Sequence, residues 1–559
     1  MLHLPSGAGE EALALARQLT LTRTAAAVLV ARGLGDAEQT ARFLDPRLAH
    51  LTPPETMMDR SEAVSRLARA VRAKERVCVF GDYDADGVTA AALLTDVLRA
   101  LGGQVVTVLA DRFDGGYGLS NPALSRVLAT GATLLVTCDC GSSDHERLDT
   151  ARQRGIDAVV IDHHRVPDAP LPALAFLNPH RPGCGFAYKG LASVGLALSV
   201  GAGLRAELGV PLDMRPWLDL VAIGTIGDVA PLDGDNRPLV RAGLAMLARG
   251  IRPGTRALAE IAGCAASTPT GEDVSFRLAP RINAPGRLDK PDLALALLLA
   301  KNDADARRIA AEVELACTRR KEVERAVTAQ ALVMLEDGEL GGLPAIVLGQ
   351  QGWHPGVVGI VAGRLASRFG KPTIVLALDG ARGRGSVRGP AGCSVYDALS
   401  RVRDVLVAFG GHHAAAGVEV DSHRVDTLRE RFAEACAAIG VPDARPSADA
   451  DALLEDGDPP ARVFGELERF EPCGQGNPAP RVAVESARVL GVRELKGGHL
   501  RVWLEVFGSR ISCFGPEMGA LATQLGTHAR VVGALRRDTY NGGGAIEMRL
   551  LAAEPASPR

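Results

Sequence analysis

Val77-Cys78-Val79-Phe80-Gly81-Asp82-Tyr83-Asp84-Ala85-Asp86-Gly87 is the stretch on which the fold turns. Four apolar residues run into Gly-Asp, and residues 88–101 continue with helical periodicity, so the stretch predicts a strand, an acidic turn and a helix. Three carboxylates at alternate positions also open an EF-hand loop, but that loop needs a bidentate Glu at its twelfth position. Leu93 stands there, and a strand instead of a helix precedes the turn. A solvated acidic turn is the ordinary alternative for one such cluster. It loses ground as neighbouring segments are added. Residues 105–109, 133–137 and 158–161 read as further strands; Asp139 lies just past the second of these, and Asp162-His163-His164 follows the third. Asp228 sits in Gly227-Asp228-Val229-Ala230-Pro231-Leu232, after the largely apolar residues 218–226. Short apolar runs alternating with helices predict a parallel sheet covered on both faces, and ligands then bind outside the carboxyl ends of its strands.

Carboxylates and imidazoles without paired thiolates suit Mn²⁺ or Mg²⁺. Cys138 and Cys140 flank Asp139, but Cys-x-Cys with no second pair at standard spacing does not make a zinc site. So many negative charges at one sheet edge repel strongly without cations. Two ions about 3.5–4 Å apart bridge a carboxylate, activate water and stabilise phosphoryl displacement. Phosphoester hydrolysis is the chemistry this constellation supports best.

A chain of 559 residues exceeds one hydrophobic core and predicts several folding units. An N-terminal helical segment (1–59) precedes the parallel-sheet unit (60–250). A helical connector (251–337) contains residues 294–336 without Gly or Pro, restarting at Asn302-Asp303, and reads as a link between lobes more than a core element. A second α/β unit (338–445) and a small all-β barrel (446–559) follow; a polar stretch at 442–460 separates them, and a glycine turn at 542–544 joins two strands. The net charge of −3 excludes a uniformly basic surface, so nucleic-acid contacts must come from local clusters. Ten scattered cysteines make no disulfide framework, and the first residues lack the order of a signal peptide. Neither uncharged stretch, 190–204 or 341–363, suits a membrane span, and a cytoplasmic location is expected.

The ordered motifs Asp82-Tyr83-Asp84-Ala85-Asp86-Gly87, Asp139, Asp162-His163-His164 and Gly227-Asp228-Val229 resemble those of the DHH phosphoesterases. The resemblance runs from about residue 25 to the end and implies a two-metal Mn²⁺ or Mg²⁺ site. It gives Asp82, Asp84 and Asp86 as first-motif ligands, with their division between the ions open. Asp139 bridges, and His163 and Asp228 complete the second ion. His164 would sit beside the scissile phosphate, making His164, Asp139 and Asp84 the catalytic set. Absence of a His in the first motif favours the RecJ branch, as do the stretches 278–288, 353–365 and 410–417, which resemble a RecJ signature and the DHH-associated domain. The last unit is then an OB-fold.

The expected activity is 5′-to-3′ exonucleolytic hydrolysis of single-stranded DNA in repair and recombination. Arg281, Asn283, His354, Arg364, Ser386, Arg388, Gly411, His412 and Trp503 are the expected nucleic-acid contacts. Residues 383–389 and 410–417 are amide-rich and suit phosphates. His354 and His412 read equally as structural histidines, and Trp503, watched with Phe507, Phe514 and Tyr540, equally as sheet cover. A monomer is expected, working with a single-strand binding protein and a RecQ-type helicase. The rival functions are a phosphodiesterase of short oligonucleotides or cyclic dinucleotides, and a non-catalytic replication scaffold. The latter would be expected to have lost metal carboxylates.

Overall fold

In the computed structural model, which describes residues 2, 4–264, 268–336, 342–440, 449–538 and 545–558, the first sheet is wholly parallel. Its strands are β1 (Arg76–Gly81), β2 (Gln104–Leu109), β3 (Leu134–Cys138), β4 (Asp157–Ile161) and β5 (Ala175–Leu177), in the order β2-β1-β3-β4-β5. The sequence pattern does not reveal the fifth strand; three residues are too few to show a period. Helices Arg60–Arg72, Ala85–Ala100, Ser193–Glu207 and Leu218–Gly227 bury one face, while Asn121–Ala129 and His145–Gln153 bury the other. Gly81 and Gly87 let the helix Ala85–Ala100 close onto β1. A Cβ on Gly81 would stand 2.7 Å from the Gly87 carbonyl, and one on Gly87 2.6 Å from the Asp82 backbone.

The connector ends in one helix, Asp303–Glu336, of 34 residues and so about 51 Å at 1.5 Å per residue. Asn302 Oδ1 accepts from the Asp305 amide at 2.9 Å, which fixes its start after the helix Asp292–Leu298. It links the two lobes, as expected, and its two ends are also core elements. Ala306, Ile309, Ala310 and Val313 belong to the first lobe's core, and Val327, Ala331 and Leu335 to the second lobe's. The second sheet comprises β6 (Ile346–Gln351), β7 (Thr373–Asp379), β8 (Arg382–Arg388), β9 (Ala408–Gly411) and β10 (Ala415–Asp421), ordered β6-β7-β8-β10-β9.

The C-terminal strands are β11 (Ala452–Leu453), β12 (Val482–Leu495), β13 (His499–Val506), β14 (Ser509–Gly515), β15 (His528–Arg537) and β16 (Ile546–Pro555). Pairing of β12 with both β13 and β15 closes a five-stranded barrel, as expected of an OB-fold. Tyr540, the 542–544 turn and residues 442–448 lie outside the described residues. The N-terminal helices Glu10–Leu19 and Arg23–Ala31 share a core with this barrel, through Leu15, Val28 and Leu29 against Phe470, Val482 and Leu500. Asp458 accepts from the Thr24 amide (2.8 Å) and hydroxyl (2.9 Å), and Asp451 takes a two-pronged bond from Arg32. Arg237 of the first lobe locks the junction: it donates to the carbonyls of Phe43 (3.0 Å), Phe470 (2.8 Å) and Arg469 (3.0 Å), and lies 3.9 Å over the Phe43 ring. No single helix among the described residues is long and apolar enough to cross a membrane.

Candidate metal centre and nucleic-acid interface

Register places the acidic groups side by side. Gly81 pairs with Cys138 and Cys138 with Ile161, so Asp82, Asp139 and Asp162 leave adjacent strands at one edge. The amides of Asp82, Asp139 and Asp162 continue the ladder to the carbonyls of Cys138 (3.2 Å), Ile161 (2.9 Å) and Leu177 (3.0 Å). Asp139 adopts φ 65°, a left-handed turn that Asp tolerates better than most residues. Asp84 caps the helix Ala85–Ala100, accepting from the amides of Asp86 (3.0 Å) and Gly87 (3.1 Å). Asp86, wholly buried, accepts from Ser193 N (2.6 Å) and Val194 N (2.9 Å) at the start of the helix Ser193–Glu207. Asp228 ends the helix Leu218–Gly227.

These groups form three overlapping sets, Asp82 with Asp84 and Asp139, Asp86 with His163 and Asp228, and Asp139 with His163 and His164, each with ligand atoms within 4.8 Å of one another. His163 Nε2 joins them, 3.3 Å from Asp139 Oδ1, 3.6 Å from Asp228 Oδ2 and 3.9 Å from Asp86 Oδ2. Burial holds the His163 ring neutral, down to about 4. Its buried Nε2, like the buried Asp82 Oδ1, has no hydrogen-bond partner among the described residues. A neutral imidazole nitrogen and an orphaned carboxylate oxygen amid further carboxylates fit a pair of hard divalent cations.

Asp162, visible in the sequence only as part of a motif, is a positioning residue. It accepts from the amides of Ser142 (3.0 Å), His163 (2.8 Å) and His164 (3.2 Å), and from His164 Nδ1 at 2.7 Å. Burial opposes its charge, but the His164 hydrogen bond and these donors overcome it, holding Asp162 at about 2. Burial likewise opposes a charged His164, and Asp162 outweighs it, raising the ring to about 9. The Tyr117 hydroxyl, 3.2 Å from the Asp139 carbonyl and 3.0 Å from His164 Nδ1, braces the same nitrogen.

Burial and mutual repulsion push Asp86 up to about 7 and Asp228 up to about 9 in the metal-free protein. The folded chain therefore holds protons that the unfolded chain releases near pH 4, and metal-free stability falls as pH rises from about 4 to about 9. Thermal unfolding in EDTA should show a Tm that drops across that window, with Mn²⁺ raising Tm most at the alkaline end. A metal-induced rise that is flat across that window would count against these carboxylates as ligands.

Of the expected nucleic-acid contacts, Ser386 and Arg388 on β8 face the helix Pro355–Phe369 at Gly359. A Cβ there would stand 3.0 Å from Ser386 Oγ and 3.3 Å from Arg388 Nη2, so the glycine makes room for both. Two arginines beyond the expected set join Arg388. Arg112 lies 4.1 Å over the Tyr83 ring, and its charge acts on Asp82, Arg287 and Arg388. Burial, with the Arg112 and Arg320 charges, pushes Arg287 down to about 10. Among the described residues no carboxylate forms an ion pair with any of the three, so their charge beside the metal centre is left available to an anion. Arg287 stands inside the quoted 278–288 stretch, and Arg112 follows the end of β2 as the acidic groups follow their strands.

His412 borders a cavity of about 520 Å³ with His163, His164, Arg165 and His180, so the second lobe does reach the metal centre. Gly411, φ 147°, lies where a Cβ would meet the Ala415 carbonyl at 2.4 Å. Arg364, more than half exposed, pairs with the buried Glu324 at 2.6 Å. Asn283 is half-buried, with a buried Oδ1 lacking a partner. Two residues need correction. Arg281 is buried and committed to Glu314 through Nε (2.5 Å) and Nη2 (3.0 Å), so it anchors the long helix instead of meeting a phosphate. His354 caps the helix Pro355–Phe369, Nδ1 accepting from Gly356 N at 3.1 Å, and its ring meets Phe113 edge-on. Trp503 lies across Gly491 on β12, 3.5 Å from where a Cβ would be, which is the sheet-covering role.

The chain matches the DHH family N-terminal domain over residues 76–225, the DHHA1 domain over 342–438 and the RecJ OB domain over 450–552. Fold and site together define a phosphoesterase of the DHH class. The single-stranded-DNA-specific exonuclease RecJ of Bacillus subtilis is 35% identical over 94% of this chain and 67% of its own length. The crystal structure of RecJ from Thermus thermophilus in complex with Mn²⁺ superposes with a TM-score of 0.84 at 32% identity, covering 100% of this chain and 79% of that one. Its Mg²⁺ complex gives 0.79 at 30%, covering 100% and 78%. The chain belongs to the RecJ family.

Proposed function

We propose that this chain hydrolyses single-stranded DNA from the 5′ end and releases 5′ mononucleotides, using two Mn²⁺ or Mg²⁺ ions. The observation that carries this is the juxtaposition of a carboxylate set and a carboxylate–imidazole set, joined where His163 Nε2 stands 3.3 Å from Asp139 Oδ1, with the arginine cluster of Arg112, Arg287 and Arg388. Asp82, Asp84 and Asp139 would hold one ion and Asp86, His163 and Asp228 the other, with Asp139 the carboxylate available to both. The bound ions supply Lewis-acid charge to the phosphoryl oxygens and acidify water. Asp162 keeps the His164 Nδ1 proton in place, so Nε2 faces the reacting phosphate. With Nδ1 committed to Asp162, His164 is placed to donate from Nε2 to a phosphoryl or leaving oxygen. Ser386, Arg388, Arg287 and Arg112 take the terminal 5′ phosphate, and the next diester then lies at the metals. The barrel holds the incoming strand. The chain works as a monomer in the cytoplasm, on strands opened by a RecQ-type helicase and covered by a single-strand binding protein.

The test is digestion of end-labelled DNA with Mn²⁺ or Mg²⁺, comparing single and double strands blocked at either end. Loss of single strands only when the 5′ end is free, stopped by EDTA, is the expected result. Degradation from a free 3′ end with the 5′ end blocked would overturn the polarity. Hydrolysis of di- and trinucleotides alone would overturn the polymer substrate.

A further inference from the structure

The helix Leu218–Gly227 ends in a left-handed turn: the amide of Ala230 reaches back to the Thr225 carbonyl (3.1 Å), and Val229 occupies the reversing position at φ 61°. Glycine is the low-cost residue there, and a β-branched side chain is strained. Val229 nonetheless is 65% exposed, so core packing does not account for it. The turn directly follows Asp228, a carboxylate of the metal centre. The same helix packs against the π-turn Val274–Leu278, through Val274 and Leu278. A Cβ on Gly227 would stand 3.2 Å from the Ala279 side chain. That π-turn carries Phe276, 75% exposed, the most exposed of the large apolar side chains among the described residues. One turn earlier Glu272 pairs with Arg549 of the barrel at 2.9 Å, and Arg549 neighbours Phe514 across the β14–β16 pairing. Phe514 in turn lies under Arg501 and Arg536.

We propose that Phe276 and Val229 form an apolar track for the bases of single-stranded DNA, leading from the barrel's arginine–Phe514 face to the metal centre. The inference rests on the proposed exonuclease function and adds to it the residues that carry the strand between barrel and metals. An unpaired base offers an apolar face wherever the strand crosses an exposed aromatic ring, whatever its sequence. The connection runs through the fold: Arg549 of the barrel pairs with Glu272, the π-turn that follows carries Phe276, and that turn packs on the helix whose end carries Asp228 and Val229. A docked protein segment would also cover Phe276, but would give no reason for a strained valine beside Asp228.

The test uses the full chain and oligothymidylates. Phe276→Ala should raise KM on a 20-mer by about fivefold to a hundredfold, the span expected for losing one base stack, while kcat stays within about twofold. Hydrolysis of a dinucleotide, which engages the metal centre and the arginines beside it, should not change. Phe276→Trp in EDTA should show fluorescence quenching on adding oligothymidylate beyond the wild-type signal. Val229→Gly should raise Tm and yet raise KM on the 20-mer. Unchanged KM in both variants, with wild-type protein active on the same 20-mer, would overturn the track alone. A wild-type chain inert on every single strand would overturn the function on which it rests.

Discussion

Asp139→Asn is expected to leave single-stranded DNA bound but uncut. Asp139 is where the two metal sets meet, buried in a left-handed turn at a strand end, with Oδ1 3.3 Å from His163 Nε2 and accepting from the Ser193 hydroxyl at 3.1 Å. A carboxamide keeps the shape and removes the charge that lets two cations sit together. A single preorganised electrostatic contact is commonly worth about 10²–10³ in rate, so loss of the bridge should lower kcat at least about 10³-fold. Binding to the arginine cluster and barrel is untouched, and Kd in EDTA should stay within about threefold by fluorescence anisotropy. Stability should move the other way. Burial and repulsion from Asp86, Asp84 and Asp228 push the Asp139 pKa well above the usual carboxylate range, so a neutral side chain should raise Tm of the metal-free protein. Turnover within about tenfold of wild type would remove Asp139 from the metal centre.

Arg237→Met is expected to cost about 1–3 kcal/mol of stability for each buried carbonyl that it leaves unpaired. The wild-type guanidinium is 3% exposed, and burial pushes it down to about 10. Its charge is satisfied by carbonyls from the N-terminal segment and from the approach to the barrel, not by a carboxylate ion pair. Methionine retains the apolar stem and leaves those carbonyls unpaired. Scanning calorimetry should show a lower Tm, and kcat/KM should fall on long strands more than on dinucleotides, because the barrel loses its fixed seat. An unchanged Tm would show that the junction does not depend on this side chain.

What is legible in the sequence is what is local. A strand running into Asp needs only about six or seven residues to be seen, and three such signals, at Asp82, Asp139 and Asp162, place the metal centre, because a parallel sheet brings strand ends together; Asp228 joins them from a helix end. The second lobe's Ser386, Arg388 and His412 stand in glycine-rich stretches carrying donors, which a local reading also picks out. Pairings across long separations are not. Thr24 meets Asp458 434 residues away, and Arg237 meets Phe470 233 residues away; no periodicity encodes either contact. Arg281 and His354 show the opposite failure. Each stands in a motif-like stretch, but the guanidinium found a nearby glutamate and the imidazole found a helix start. Charge type alone does not separate an arginine spent within the fold from one held open. Arg112 and Arg287 are distinguished by having no acidic partner among the described residues, which only the folded neighbourhood reveals.

The long helix Asp303–Glu336 bears on how a strand can be admitted at all. Both cores are built around this single rod, and Glu324, midway along it, is paired by Arg320 at one side and by Arg364 of the second lobe at the other. Two bodies seated on one rod take their spacing from it. The length and straightness of this helix, which contributes no carboxylate to the metal centre, therefore set how wide a passage the strand meets.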